Sequence, residues 1–305
     1  MSFSFSGIMA PVLTPFKDDL QVAENLFIEH CQWVLQSGCH FIAPFGTTSE
    51  ALSLSLKERH GLLESLVLSG IDPQRIMPGT GMCSLGETVE LTRHAVSLGC
   101  AAVMTLPPFF YKNPSEEGLF NYFSNLIKQV NSPDLRLCLY HIPPMATVGF
   151  SGDLVARLHA AFPETVVALK DSSGDWENTL NLINKVPGMA IFPGSETFLS
   201  KGMASGGAGC ISATCNINPT GIRAVFDSAG TEDEVSMEPE MLAIRDAVQK
   251  AGLIPAMKGI LAQVSGDLRW RNVRPPLMPS SPEQAGELIK ILPSGLDPLA
   301  SYPRR

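Results

Sequence analysis

Short apolar runs recur along this chain, each followed by a longer polar or amphipathic stretch. IMAPVLTPF (8–16), CHFIAPFG (39–46), RIMPGTG (75–81) and CAAVMTLPP (100–108) are the first four. RLCLYHIPP (136–144), TVVALKDSS (165–173), MAIFPGSE (189–196) and AGCISATCN (208–216) complete a set of eight. They are β-branched or otherwise apolar and end in Gly, Pro, Ser or Asn, as parallel strands buried on both faces do. Between them the spacing is helical. Leu26, Phe27, Cys31, Val34 and Leu35 share one face of the first intervening segment, which Gly38 closes. Leu62, Leu63, Leu66 and Val67 repeat the pattern, and so do Leu119, Phe120, Phe123, Leu126 and Ile127, with Ser115 placed to cap the latter helix.

Strand and helix alternating through eight units predict an α/β fold, a parallel sheet covered by helices. Eight units over about 220 residues fit a closed (β/α)8 TIM barrel, here residues 1–230, better than an open doubly wound sheet. The glycines at 202, 206, 207 and 209 follow a helix and precede a strand. That order is the reverse of a dinucleotide-binding loop, so they are read as closing a helix and admitting the chain to the eighth strand. Beyond residue 230 the pattern changes to three helices (231–252, 253–266 and 281–292) with no strand between them. The Pro-rich segment 273–282 is a rigid connector within this C-terminal helical extension, residues 231–305.

Composition narrows the partners. The chain has 305 residues and a net charge of −8, with 45% hydrophobic and 17% charged positions. That excludes disorder, and the acidity argues against nucleic acid or an anionic membrane surface. No run approaches the roughly 18 apolar residues of a membrane span, and the N-terminal stretch lacks the basic and apolar regions of a signal peptide. Seven cysteines, mostly inside apolar runs, are expected to be reduced and buried, so a cytoplasmic protein is expected.

A barrel of this kind carries its active site at the C-terminal ends of the strands. Three unusual features end strands here: the Thr47-Thr48 pair in FGTTSE, Tyr140 and Lys170. Alternation places Val166, Ala168 and Lys170 on one face and Val167, Leu169 and Asp171 on the other. Burial disfavours the charged form of an amine, and the neutral amine is the nucleophile that imine chemistry with a carbonyl requires. The competing reading turns Lys170 outward to pair with Asp171. Tyr140 is either a core tyrosine or, beside such a lysine, a proton donor and acceptor. The turn from Gly46 to Glu50 is either a small carboxylate nest or a simple turn in which Ser49 or Ser53 caps the next helix. The six histidines lack metal-ligand spacing and no G-x-S-x-G occurs, so neither a metal site nor a serine hydrolase is expected.

At these residues the chain resembles the dihydrodipicolinate synthase/N-acetylneuraminate lyase family of pyruvate-dependent class I aldolases. The matching segments are PVLTPF (11–16), GTTSE (46–50), LPPFFYKNPSEEGL (106–119), YHIPP (140–144), ALKDSSGD (168–175), GMASGGAGCISATCN (202–216) and VRPPLMP (273–279). The resemblance implies a lyase with no cofactor, usually a homotetramer, in which Lys170 forms an imine with a 2-oxo acid, normally pyruvate. It implies a proton relay through Tyr140 and Thr47, with Thr48 holding the pyruvate carboxylate. Gly46 and Ile211 join Thr48 as expected substrate contacts. Where dihydrodipicolinate synthases carry an arginine for the aldehyde's carboxylate, this chain has Met145. The family's intersubunit tyrosine falls at Phe110, with Tyr111 one residue away. Relative to sialic acid lyases, Glu196 keeps an acid, while Thr197 and Ala213 replace a glutamate and a serine. Both of those reactions are therefore disfavoured. The expected activity joins or splits pyruvate and an aldehyde, from a 2-keto-3-deoxy sugar acid or hydroxy-oxo acid, with Glu196, Thr197 and Ser212 as second-substrate contacts. The alternatives are dihydrodipicolinate synthase proper, an imine-dependent dehydratase or deaminase, and a non-catalytic 2-oxo-acid-binding barrel. His141, in place of the usual Asn, is either a group titrating near neutral pH or a hydrogen-bonded structural residue.

Overall fold

A computed structural model describes residues 5–292 and 299–305. Positions 1–4 of the expected barrel and 293–298 of the expected extension lie outside the described residues. Among the described residues there are seven short parallel strands: β1 (Gly7–Ala10), β2 (Phe41–Ile42), β3 (Val103–Thr105), β4 (Leu137–His141), β5 (Val166–Asp171), β6 (Ala190–Pro193) and β7 (Gly209–Ile211). They form two ladders, β2-β1-β7 and β3-β4-β5-β6.

Hydrogen bonds close these ladders into a ring. Segment 76–80 fills one gap: Met77 N donates to Ile42 O (2.9 Å), Gly79 N to Pro44 O (2.7 Å) and Met104 N to Pro78 O (2.9 Å). It is the eighth stave, too irregular to count as a regular strand. The other gap, between β6 and β7, is bridged by Ala208 N to Ile191 O (2.9 Å). Close backbone approach makes two glycines necessary. A Cβ on Gly209, whose φ is +129°, would overlap the Gly7 carbonyl, and one on Gly79 would overlap the Phe45 carbonyl.

Side chains fill the ring rather than leaving a pore. Met9, Met77, Met104, Ala168, Phe192 and Ile211, each from a different stave, pack together inside with Cys138 and Tyr140. A second, larger cluster lies between the ring and the helices. Strict alternation fails at the start of β5. Val166, expected to point inward with Ala168 and Lys170, packs in the outer cluster instead. The β4–β5 ladder shifts register between Leu137 and Cys138, so inward alternation begins only at Ala168.

The helices are set by their caps. Ser115 accepts from Gly118 N (3.1 Å) at the start of Glu116–Val130. Helix Leu56–Leu68 is capped by Ser55, in a reciprocal box with Glu58, and not by Ser49 or Ser53. After the last barrel helix, Pro219–Asp227, come Glu232–Lys250, Ile254–Ser265 and Pro282–Ile289. The first two reach the C-terminal rim of the barrel through Arg245 and Lys258, and the third packs on Ile254–Ser265. Among the described residues no helix is long and apolar enough to cross a membrane.

Candidate active site

Tyr140 and Lys170 are direct partners in the β4–β5 register, so both point into the barrel at its C-terminal end. They are 3% and 4% exposed, and the Lys170 Nζ lies 4.5 Å from the centre of the Tyr140 ring. Asp171, one residue on, faces the opposite way. Its carboxylate accepts from Ser173 N (2.9 Å), Asn178 Nδ2 (2.9 Å) and Thr179 Oγ1 (2.7 Å), which ties the loop after β5 to helix Trp176–Lys185. The amine therefore sits at the inner wall, and its neighbouring carboxylate is engaged elsewhere.

The turn after β2 brings the third group. Thr47 Oγ1 lies 3.3 Å from the Tyr140 hydroxyl, within a weak hydrogen bond. The turn's own hydrogen bonds begin at Ser49 N and Glu50 N, donated to Gly46 O and Thr47 O. The Thr47 and Thr48 amides precede them, as the first amides of any helical turn do. Ser49 anchors the turn by donating to Val12 O (2.5 Å), and its own carbonyl accepts from Thr14 Oγ1 (2.8 Å). Glu50 adopts a left-handed φ of 55°. Its carboxylate reaches the extension, where Lys258 Nζ donates at 2.5 Å and Arg274 N at 2.8 Å. Burial pulls the Lys258 amine down to about 8, against the opposing pull of Glu50.

These residues line a cavity of about 500 Å3, whose wall includes Thr47, Thr48, Tyr140, Lys170, Ser172 and Arg245. An adjoining apolar lobe of about 350 Å3 shares Thr47, Tyr140 and Met145 with it and adds Gly46, Leu106 and Phe109. Met145 sits at the mouth, 68% exposed, on the short helix Pro143–Ala146.

Four expected substrate contacts are placed differently. Glu196 is fully buried behind the wall, where Ser212 and Thr214 donate their hydroxyls to its carboxylate. Ser212 is turned to that carboxylate and away from the cavity. Thr197 is exposed on the outside and bonds to Ser195, its N–H donating to the Ser195 Oγ at 3.2 Å. Ile211 packs in the inner cluster beneath the site. The cause is common to the first three: the short turn Glu196–Phe198 directs its acid inward, and two buried hydroxyls satisfy it there. Phe110 and Tyr111 lie on the surface, 71% and 78% exposed, and neither lines the cavity within one chain.

His141 is a structural residue in this geometry. Its Nδ1 accepts from Phe150 N at 2.9 Å, and burial lowers its pKa while Asp171 opposes the shift. The neutral ring is the form that accepts this bond. Among the described residues, no group of three or more His, Cys, Asp or Glu side chains is arranged to hold a metal ion.

Two residues at the site had no assignment from the sequence. Nothing in the sequence marks Arg245, which comes from helix Glu232–Lys250 and depends on how that helix docks. Lys258 did leave a signal: it is the single charge in the apolar run IPAMKGILAQV.

The family model described as the dihydrodipicolinate synthetase family matches residues 4–294. A protein called an uncharacterized DapA-like lyase, from Chloroflexus aurantiacus, is 34% identical over 284 residues, covering 92% of this chain and 94% of the relative. A 4-hydroxy-tetrahydrodipicolinate synthase from Thermus thermophilus is 32% identical, covering 94% and 95%. The crystal structure of dihydrodipicolinate synthase from Agrobacterium tumefaciens superimposes with a TM-score of 0.86 at 33% identity, covering 94% of this chain and 98% of that one. With residues 4–294 matched, the chain belongs to the dihydrodipicolinate synthetase family, whose members are lyases of the class I aldolase type.

Proposed function

We propose that this protein forms or cleaves a carbon–carbon bond between pyruvate and an aldehyde through an imine on Lys170. The observation that carries the reading is the register pairing of Tyr140 with Lys170, with Thr47 within reach of the tyrosine hydroxyl. The neutral Lys170 amine adds to the pyruvate C2 carbonyl. Tyr140 relays one proton from the adding nitrogen to the oxygen and gives a second from its own hydroxyl, so that the oxygen leaves as water as the iminium forms. The tyrosinate left behind takes the C3 proton to give an enamine, whose C3 attacks the aldehyde carbon while Tyr140 passes that proton to the aldehyde oxygen. Water then hydrolyses the new imine and frees Lys170. Cleavage is the same sequence reversed: the C4 hydroxyl gives up its proton, the C3–C4 bond breaks, and the electron pair is accepted by the iminium.

In this reading the Thr48 hydroxyl and backbone amide hold the pyruvate carboxylate, the Thr47 hydroxyl joins the relay with Tyr140, and Gly46 leaves room for the substrate. The aldehyde comes from a 2-keto-3-deoxy sugar acid or a hydroxy-oxo acid. Met145 supports an aldehyde other than that of the dihydrodipicolinate synthases, because a thioether offers no charge-assisted bond to a carboxylate. The exposed Phe110 and Tyr111 are assigned to a contact between subunits of a cytoplasmic homotetramer. The barrel is assigned to residues 1–230 and the helical extension to 231–305.

Borohydride reduction in the presence of pyruvate tests the reading. A reduced pyruvyl adduct on the peptide carrying Lys170 is the expected result, and an unmodified Lys170 would overturn it.

A further inference from the structure

The cavity wall carries three charged residues, Lys170, Asp171 and Arg245. The Asp171 carboxylate is held by the loop and helix outside the ring, which leaves two cations. In the reaction proposed above Lys170 is consumed in the imine. Arg245 is then the remaining charge facing the second substrate.

Its guanidinium is positioned but not saturated. Nη2 donates to Gln249 Oε1 at 2.9 Å, one turn on in the same helix. Nη1 is buried against Glu196, 3.8 Å from its Oε2, close enough for attraction but too far for a hydrogen bond, and it has no hydrogen-bond partner there. Glu196 already accepts from Ser212 and Thr214, so these hydroxyls hold its carboxylate in place behind the guanidinium. The guanidinium also lines the cavity, and a carboxylate matches its planar fork. Away from the Thr47-Thr48 turn the wall offers an anion only neutral donors such as Ser172 and Ser195 among apolar Ile142, Phe198, Leu253 and Ile254.

We propose that Arg245 binds a carboxylate on the aldehyde partner, so that the bond made or broken belongs to a hydroxy-oxo dicarboxylic acid rather than to a chain ending in a neutral polyol. This rests on the imine reading and adds the substrate class. Glu196 acts as a positioning residue for Arg245. The extension thus supplies from a helix the charge that is missing from position 145.

The test is condensation of pyruvate with matched aldehydes: glyoxylate against acetaldehyde, and 4-oxobutanoate against butanal. Wild-type kcat/KM is expected to favour the carboxylated member of each pair by about tenfold or more. Arg245→Gln is expected to collapse that ratio, chiefly through KM, and Arg245→Lys to retain part of it. A wild-type ratio near one, or a ratio unaltered in Arg245→Gln, overturns the inference. Trapping with borohydride and pyruvate runs alongside in every variant. No adduct in the wild type means that the imine reading has failed. An adduct without a preference for carboxylated aldehydes means that only the role of Arg245 has failed. Should Arg245→Gln give no adduct through misfolding, Arg245→Lys decides: a reduced ratio supports the inference and an unreduced one overturns it.

Discussion

The Lys258 ammonium and the Glu50 carboxylate meet at 2.5 Å with both side chains essentially inaccessible to water. The lysine comes from the second helix after the barrel, and the glutamate ends the turn that carries Thr47 and Thr48. Asn272 O accepts a second bond from the amine (2.7 Å), and Phe16 lies beneath it, ring centre 4.5 Å away. The position of the turn thus depends on the docking of the extension.

Removing one partner of such a pair leaves an uncompensated buried charge. Lys258→Met is expected to lower stability by about 3–5 kcal/mol in urea unfolding. Adding Glu50→Gln should recover part of that loss. A double variant less stable than Lys258→Met would contradict the pairing.

Tyr140→Phe keeps the ring over Lys170 and removes only the hydroxyl. Proton relay through a positioned side chain contributes about 10²–10⁴-fold, so kcat should fall by that order while the melting temperature stays close to wild type. Thr47→Val removes a 3.3 Å bond to that hydroxyl and should cost less than Tyr140→Phe. A Tyr140→Phe enzyme with full kcat would remove the tyrosine from the mechanism.

Stability should fall at mildly acid pH because of His30. Its Nε2–H donates to Asn216 Oδ1 (2.8 Å), its Nδ1 lies 3.2 Å from the Tyr302 hydroxyl, and burial lowers its pKa from 6.5 to about 4. The unfolded chain therefore binds this proton more tightly than the folded one. The contribution is complete above about pH 6.5, declines as pH falls, and is lost by about pH 4, roughly 3 kcal/mol in all. Urea unfolding at several pH values should show a steeper decline for wild type than for His30→Gln. Equal slopes would assign the acid sensitivity to other groups.

Phe110 and Tyr111 form an exposed edge-to-face pair, ring centres 5.4 Å apart, beside Phe109, which lines the apolar lobe. If they are covered by another subunit, light scattering should give a mass of about four chains. Replacing both with Ser should shift the population toward smaller species. An unaltered mass would place the interface elsewhere.

The eight staves were readable from the apolar runs because parallel strands covered on both faces lose their alternation and stand out as blocks. Lys170 and Tyr140 were readable because a strand ending in a charged or polar residue is unusual at the rim of such a barrel. Glu196, Thr197, Ser212 and Ile211 were misplaced for a different reason. Each lies near a strand end, but short turns choose which way their side chains point, and buried partners fix that choice.

By itself, then, the amino-acid sequence determined the repeating strand–helix order and the residues that end each strand, because these follow from local periodicity and short-range spacing, and its matching segments carried the resemblance to the family. The tertiary structure alone decided that Arg245 reaches the cavity, that Lys258 holds Glu50, and that Glu196 stands behind the wall. The first two relations join residues 49 and 208 positions apart, which only the docking of the extension brings together, while Glu196 is held by hydroxyls 16 and 18 positions on. No pattern within a single segment encodes that distance.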